Sequence, residues 1–561
     1  MKHEVLFLEI NSSYSHSMLS YGLLRTFTSM MLPEWHWRHL DATIKTGEDD
    51  LLNKIIEFAP DVIAATGYLF NIEYLCRILE TYSKAVPEAK IFLGGPEFLG
   101  DNSDFLMNHQ FINGVIRGDE SSFYLLLENL PRREGWCDIP GLCYMHDETY
   151  FDNGIARYSG SLDELPSPYA KGCIHAGKPF YQLETSRGCI GKCTFCTSAK
   201  SDGVAYYSLN RVKSDLECIR QAGIREIRLI DRTFNDDSKR AIELLKMFYA
   251  DFPDFKFHLE INPAMLTEPL LASLKQAPHG MLHIELGIQT LNAASLKAIR
   301  RPASNSKSLT GLKQLVRCKN FEIHADLIAG LENQTFDDVL SDVEALINIG
   351  PREIQLEKLK LLPGTVMRET PPPGTVFNTN PPYEVFSTSE ISESQFIAVK
   401  QLSIILDGWH NTKQLNSPFV LACRIIDGFM LKIITFLENE KYFAGQGRDA
   451  LERRFELLEK FVKDDSLQLQ LLRFCRLAAG LPVSNEHLLV IKDTQGKKLN
   501  AIWNKDIDRK YRIGKYFQTD FDYNVGDLWL NPGTVIKSGR KTYLFGLYYG
   551  RNPAEICEII G

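Results

Sequence analysis

Apolar residues in the first 130 positions come in short unbroken runs. "EVLFLEI" at 4–10 is followed by "HWRHLDA", "DVIAATGY", "AKIFLGG" and "GVIRGD", which begin at 36, 61, 89 and 114. Between them lie stretches with apolar positions at helical spacing, such as "NIEYLCRILETYSKAV". Strands that are apolar on both faces and alternate with amphipathic helices predict a doubly wound parallel sheet. Ligands of such sheets bind at the carboxyl ends of the strands.

The pattern lapses after about residue 130. "GLCYM" has the look of one short strand, and "LDELPSPYAK" of a Pro-containing connector. A second alternation follows, with strand-like runs at 181 ("YQLETS"), 224 ("IREIRLID"), 256 ("KFHLEIN"), 281 ("MLHIELGIQ"), 321 ("FEIHADLIAG") and 353 ("EIQLEKLKLL"). Six β-α units predict a partial (β/α)6 barrel rather than a closed eight. A Pro-, Thr- and Ser-rich stretch at 363–390 marks the next boundary, after which the chain is helical to about 480 and then turns to short strands. The predicted organisation is an α/β chain: a doubly wound domain over 1–135, a linker over 136–180, a partial barrel over 181–370, and a C-terminal accessory domain of helices and short strands over 371–561.

Composition narrows the class. The 561 residues suit three or four domains, and 44% hydrophobic content suits buried cores. A net charge of -8 gives no general attraction to nucleic acid. The opening "MKHEVLFLEI" carries Glu4 and Glu9 and does not read as a signal peptide. No uncharged apolar run reaches the roughly 18 residues of a membrane span. A cytoplasmic chain with no membrane segment is the expectation. Nine of the 12 cysteines are scattered, and Cys189, Cys193 and Cys196 form the one cluster, in "SRGCIGKCTFC".

Three thiolates at C-x3-C-x2-C are one short of a closed tetrahedral zinc site, and no fourth Cys or His stands at finger spacing. They suffice for three irons of a [4Fe–4S] cluster with the fourth iron left open. Zinc and a chance grouping of buried thiols are the alternatives. The motif lies directly after the first strand of the barrel-like segment, hence at its active end.

"ETSRGCIGKCTFC" resembles the cluster loop of the radical S-adenosylmethionine (SAM) superfamily, whose signature is C-x3-C-x-aromatic-C. The resemblance implies that Cys189, Cys193 and Cys196 hold the cluster, beside Phe195. It implies that the open iron binds the amino and carboxylate groups of SAM, and that reductive cleavage gives a 5′-deoxyadenosyl radical. Later strand ends extend it. "LIDRTFN" stands where the family has a Gly-Gly-Glu-like turn, so Asp231 would face the methionine amine, although the two glycines are missing. "HLEINP" offers Glu260 to the ribose or methionine, "GIQTLNAASLKAIRRP" offers Gln289 and Arg301, and "HADLIAGLENQT" offers Asp326, with Ile328 near the adenine. A zwitterionic sulfonium needs carboxylates, an arginine and an apolar wall.

The first segment resembles the cobalamin-binding domain of one radical SAM subfamily, the class B methylase-like proteins. The matching pieces are "NSSYSHSMLSYG", "ATGYLFN", "FLGGPE" and "VIRGDESSF". They would bring Ser12, His16, Thr66, Tyr68, Leu69, Gly94, Gly95, Gly118 and Glu120 to cobalamin. His16 lacks the Asp and Gly of the Asp-x-His-x-x-Gly motif, which implies a cobalt without a protein histidine ligand. No G-x-G-x-x-G follows the first strand, which argues against a dinucleotide. "NPPYEVFSTSEIS" resembles the opening of an uncharacterised C-terminal extension on some such proteins. Aromatics recur near the C-terminus, among them Trp409, Trp503, Tyr511, Phe517, Phe521 and Trp529. Core packing is the plain reading of these, and a cover over the barrel mouth the sharper one.

The resemblance implies a radical SAM enzyme that methylates an unactivated carbon through methylcobalamin. A non-methylating rearrangement, cyclisation or oxidation, a methylthiotransferase, and a non-catalytic cobalamin or redox sensor are the alternatives. It also implies a reducing partner such as flavodoxin or ferredoxin and a small-molecule or peptide substrate.

Overall fold

The computed structural model describes residues 3–130, 133–173, 177–301, 305–444, 450–481, 489–491, 513–548 and 553–559. The N-terminal runs become β1 (His3–Asn11), β2 (Trp35–Thr43), β3 (Val62–Thr66), β4 (Lys90–Gly94) and β5 (Gly114–Ile116). These five pair in parallel in the order β2-β1-β3-β4-β5. Their unbroken apolar character follows from burial on both sides. Leu6, Leu8, Ile63 and Leu93 pack in one core with helices Glu48–Phe58 and Ile72–Ala85. Val5, Phe7, Ala64 and Phe92 pack in the other, under helices Leu19–Met31 and Glu120–Glu128.

Residues 136–180, read from the sequence as a linker, do more than connect. β6 (Leu142–His146) and β7 (Thr149–Asp152) form an antiparallel hairpin that continues the sheet beyond β5. Its two turn residues, Asp147 and Glu148, both have positive φ (48° and 62°). That is the backbone of a tight hairpin turn, without the Asn-Gly or Asp-Gly that signals one in a sequence.

The next segment opens with β8 (Tyr181–Leu183) and a short antiparallel pair, β9 (Ser186–Gly188) with β10 (Val204–Tyr206). It continues with β11 (Glu226–Leu229), β12 (Lys256–Glu260), β13 (Leu282–Gln289), β14 (Glu322–Ala329) and β15 (Glu353–Lys358). The sheet order is β15-β14-β13-β12-β11-β8, the six β-α units that the periodicity predicts. Burial alternates along the strands. Leu282, Ile284, Leu286 and Ile288 of β13 are buried, while His283, Glu285, Gly287 and Gln289 take the other, half-buried face. On β14, Ile323, Ala325, Leu327 and Ala329 are buried and His324, Asp326 and Ile328 alternate with them.

Two compact units are distinguishable. One holds the first sheet, the cysteine loop and most of the second sheet. Within it, Gly100 and Gly364 meet backbone to backbone: a Cβ on Gly364, whose φ is +74°, would lie 2.5 Å from the Leu99 carbonyl. The other unit holds helix Phe336–Ile349, the middle of β14, most of β15, and the chain after residue 393. Its later part is five helices between Glu393 and Ala478, then described strands Leu489–Ile491, Ile513–Tyr523, Ser538–Tyr548 and Glu555–Ile559 in an antiparallel sheet. Trp409, Phe517 and Phe521 are buried there, and Trp529 packs on Phe474 at 5.6 Å, so these aromatics are core. Trp503 and Tyr511 lie outside the described residues. Among the described residues no helix is long and apolar enough to cross a membrane.

Candidate functional site

The cysteine loop is a clasped hairpin. β9 and β10 pair across its base, Ser186 with Tyr206 and Gly188 with Val204. Gly188 has φ +102°, and a Cβ there would lie 2.1 Å from the Gly203 carbonyl oxygen. Only glycine closes the clasp, which accounts for the glycine before Cys189. Inside the loop, the Gly191 amide donates to Cys189 Sγ at 3.3 Å. A Cβ at Gly191 would lie 3.4 Å from Cys189 Sγ and 3.8 Å from Cys193 Sγ, so the two sulfurs flank one point. Cys196 follows through a turn in which its amide donates to the Cys193 carbonyl, and Phe195 is half-buried beside it. Among the described residues no three His, Cys, Asp or Glu side chains converge on a single ion, the cysteine trio included. In an iron–sulfur cluster each thiolate holds its own iron, so convergence on one point is not required. An amide-bonded sulfur in a glycine-lined loop fits such a group.

Of the residues predicted for SAM, Arg301 reaches the loop, and Gln289 shares the surroundings of Gly287 with it. Arg301 places Nη1 3.9 Å from Cys193 Sγ, and its other terminal nitrogen donates to the Gly287 carbonyl. Gln289 ends β13 at φ +70°, a conformation that non-glycine residues seldom adopt, and its Oε1 is buried with no hydrogen-bond partner. Strain and an orphaned buried acceptor at a strand end are both marks of a ligand-facing residue. Glu260 stands at the end of β12, its carbonyl accepting from Phe234 N at 2.7 Å. Asp326 lies 3.1 Å from His324 Nε2 on its own strand, and Ile328 follows two residues on.

Asp231 has structural partners that the sequence did not suggest. Its carboxylate is buried and accepts from the Thr185 amide (2.7 Å), the Thr185 hydroxyl and the Ser186 amide (3.1 Å). Both oxygens accept from the corner between β8 and β9, so Asp231 anchors the start of the cysteine loop. Burial pushes its pKa up, and those hydrogen bonds pull against the shift.

The first sheet carries a cavity of about 740 Å³ at the carboxyl ends of its strands. Thr66, Tyr68, Gly94, Gly95, Gly118 and Glu120 all line it, six of the nine residues predicted for cobalamin. Ser12, His16 and Leu69 do not. Ser12 is exposed. The His16 ring is held by Ser13 Oγ at 2.7 Å from Nδ1 and lies edge-on to Phe180. The deep wall is apolar, with Phe7, Leu24, Ala64, Phe92 and Phe123. The rim carries Asp119, Glu120, Glu184 and Asp202 against Arg157 and Arg187. Such a net-acidic rim disfavours a polyphosphate ligand. A large apolar cleft with few polar groups fits a bulky organic cofactor.

Sequence reasoning passed over Arg187. Its guanidinium makes a two-pronged contact with Glu120 (2.9 and 2.7 Å) and a third bond from Nε to Glu184 at 2.8 Å. Burial works against its charge, but the two carboxylates outweigh that and raise its pKa. The clues were the charges of "ETSRGC" and "RGDE", but not that they meet.

Comparison with known proteins agrees with this geometry. Residues 183–346 match the model of the Radical SAM superfamily, and residues 374–520 match that of a protein family of unknown function, DUF4080. The chain carries a radical SAM domain. More narrowly, it shares its fold with the cobalamin-dependent radical SAM proteins and adds the DUF4080 region. The radical SAM methyltransferase TsrM of Kitasatospora setae, solved with cobalamin and a [4Fe-4S] cluster, superposes with a TM-score of 0.57 at 16% identity, over 82% of this chain and 99% of that one. An uncharacterized methyltransferase of Pyrococcus horikoshii is 25% identical over 309 residues, 53% of this chain and 66% of that protein. The hopanoid C-3 methylase of Methylococcus capsulatus is 25% identical over 294 residues, 50% of this chain and 55% of that one. The chain thus spans between about half and two thirds of these curated relatives.

Proposed function

We propose that this protein is a cobalamin-dependent radical SAM enzyme that methylates an unactivated carbon. The observation that carries the reading is the adjacency of two sites. The apolar cavity of the first sheet is bounded by Gly188 and Arg187, the residues that lead into the three-cysteine loop. When bound, a [4Fe–4S] cluster supplies reductive cleavage of SAM, and cobalamin supplies a methyl carrier.

The chain's own residues do the positioning. Cys189, Cys193 and Cys196 hold the cluster in the clasped loop. Arg301, beside Cys193, and Gln289, with its bare acceptor, receive the polar groups of SAM, with Phe195, Glu260, Asp326 and Ile328 as further contacts. Thr66, Tyr68, Gly94, Gly95, Gly118 and Glu120 receive cobalamin. His16 is tied into its own loop, in keeping with a cobalt that has no protein histidine ligand. A low-potential reductant such as flavodoxin or ferredoxin serves the cluster in a reducing cytoplasm, and the substrate is a small molecule or peptide. The methylthiotransferase reading needs a second cluster, for which the N-terminal segment offers Cys76, Cys137 and Cys143, and the sequence around these does not resemble a ligand loop; iron of about eight per chain would favour it.

The test is cofactor content after anaerobic purification from cobalamin-fed cells. About one cobalamin and four irons per chain support the proposal. Four irons without cobalamin remove methyl transfer from it. Cys189→Ala should lose the cluster's broad absorption. A product heavier by one methylene separates methylation from rearrangement or oxidation.

A further inference from the structure

Arg187 has a place that the cofactor assignments leave unexplained. Its backbone lies in the clasp that closes the cysteine loop, between Ser186 and Gly188. Its side chain leaves that clasp and grips Glu120, the first residue of helix Glu120–Glu128, with both terminal nitrogens, while Nε holds Glu184. A planar guanidinium bound at three nitrogens is fixed in direction as well as position, which an ammonium would not be. Glu184 is gripped again by the Tyr207 hydroxyl at 3.3 Å, from just beyond the other strand of the clasp. All three members of the Glu120–Arg187–Glu184 group line the cavity of the first sheet.

A ligand filling that cavity therefore rests on the same side chains that brace the cysteine loop. We infer that Arg187 is a positioning residue through which occupancy of the first-domain cavity and assembly of the cysteine-loop cluster strengthen one another. The inference rests on the cofactor assignment proposed above. A cavity that is filled holds Glu120 in place, Glu120 holds Arg187, and Arg187 narrows the range open to the clasp. By linkage the effect is reciprocal: a loop ordered by its cluster presents a more ordered wall to the ligand.

The experiment measures hydroxocobalamin binding to the full-length chain by equilibrium dialysis. It compares protein with a reconstituted cluster against protein stripped of iron by a chelator. Coupling of the usual size makes the cluster-loaded form bind about 5- to 150-fold tighter. Arg187→Met removes the fork and both of its ion pairs while leaving Glu120 and Glu184 in place, each able to take up a proton once its cation is gone. Its expected behaviour is an affinity ratio near one between loaded and stripped forms, whatever the absolute affinity of each. Arg187→Lys, which keeps the charge but loses the fork, should give an intermediate ratio. A merely structural role would weaken both forms equally and leave the ratio as in the wild type, and that result overturns the inference. So does a wild-type ratio of one. Failure of every form to bind hydroxocobalamin is a different result: it removes the cofactor assignment itself and the inference with it.

Discussion

Gly188 is the position where geometry makes the firmest demand. Replacing it with alanine puts a Cβ 2.1 Å from the Gly203 oxygen, where real Cβ atoms essentially never come within 3.0 Å. The two strands of the clasp must part by about 0.9 Å at that point, the difference of those distances. The backbone angle adds its own penalty, because an L residue at such a φ costs about 1–3 kcal/mol. Gly203 provides the internal control. Its φ is +131°, yet a Cβ there meets nothing within 4 Å, so Gly203→Ala carries the backbone penalty alone. Both variants would be reconstituted anaerobically and assayed for iron per chain and for the broad cluster absorption, with thermal unfolding followed in parallel. Gly203→Ala should load close to the wild-type amount. Gly188→Ala should lose most of its iron while the first sheet still melts normally. A Gly188→Ala protein with full iron content would refute the claim that the clasp sets the ligand geometry.

Other consequences are open to test. Asp231→Asn turns an amide NH2 toward donors that now meet a carboxylate, so it should cost roughly 1–3 kcal/mol and lower cluster loading; loss of SAM affinity alone, at normal stability and iron content, would return Asp231 to a ligand role. Gln289→Gly relieves a positive φ and removes a buried orphan acceptor, so the melting temperature should rise while SAM binding weakens on the order of tenfold, as for a lost bond to a charged group; isothermal titration of the reconstituted protein decides it. His410 is fully buried, and burial first of all lowers its pKa from 6.5 to about 4. The folded state therefore stays neutral where the unfolded chain takes up a proton. The stability from this group is complete above about pH 6.5 and drains away as pH falls toward 4, by about 1 kcal/mol at pH 5.5 and about 3 kcal/mol at pH 4. His410→Leu should remove that part of the pH dependence in calorimetric melts, and an unchanged profile would contradict it.

Much of the architecture follows from local pattern. Strands buried on both faces read as unbroken apolar runs, so β1, β3 and β4 are visible in the sequence, as are all six parallel strands of the second sheet. The cysteine triplet is equally local, because ligands for one cluster come from a single short loop and their spacing is covalent. Where a turn has unconventional residues the local signal fails: Asp147 and Glu148 adopt positive φ without a glycine, so of the β6–β7 hairpin only the first strand, in "GLCYM", is legible.

The working details of the candidate site belong to the tertiary structure. Asp231 is an acidic residue at a strand end in the sequence, and only the fold spends both its oxygens on Thr185 and Ser186, 46 and 45 residues away. Arg187 finds Glu120 across 67 residues. His16 is present in the right loop, but its ring is held by Ser13 and lies edge-on to Phe180. Periodicity and ligand spacing are written within a window of a few residues, because they reflect the repeat of a helix or strand and the reach of one loop. Which buried charge meets which is decided only when distant segments are packed together, since desolvation leaves a buried charge no partner except the groups the fold happens to bring to it.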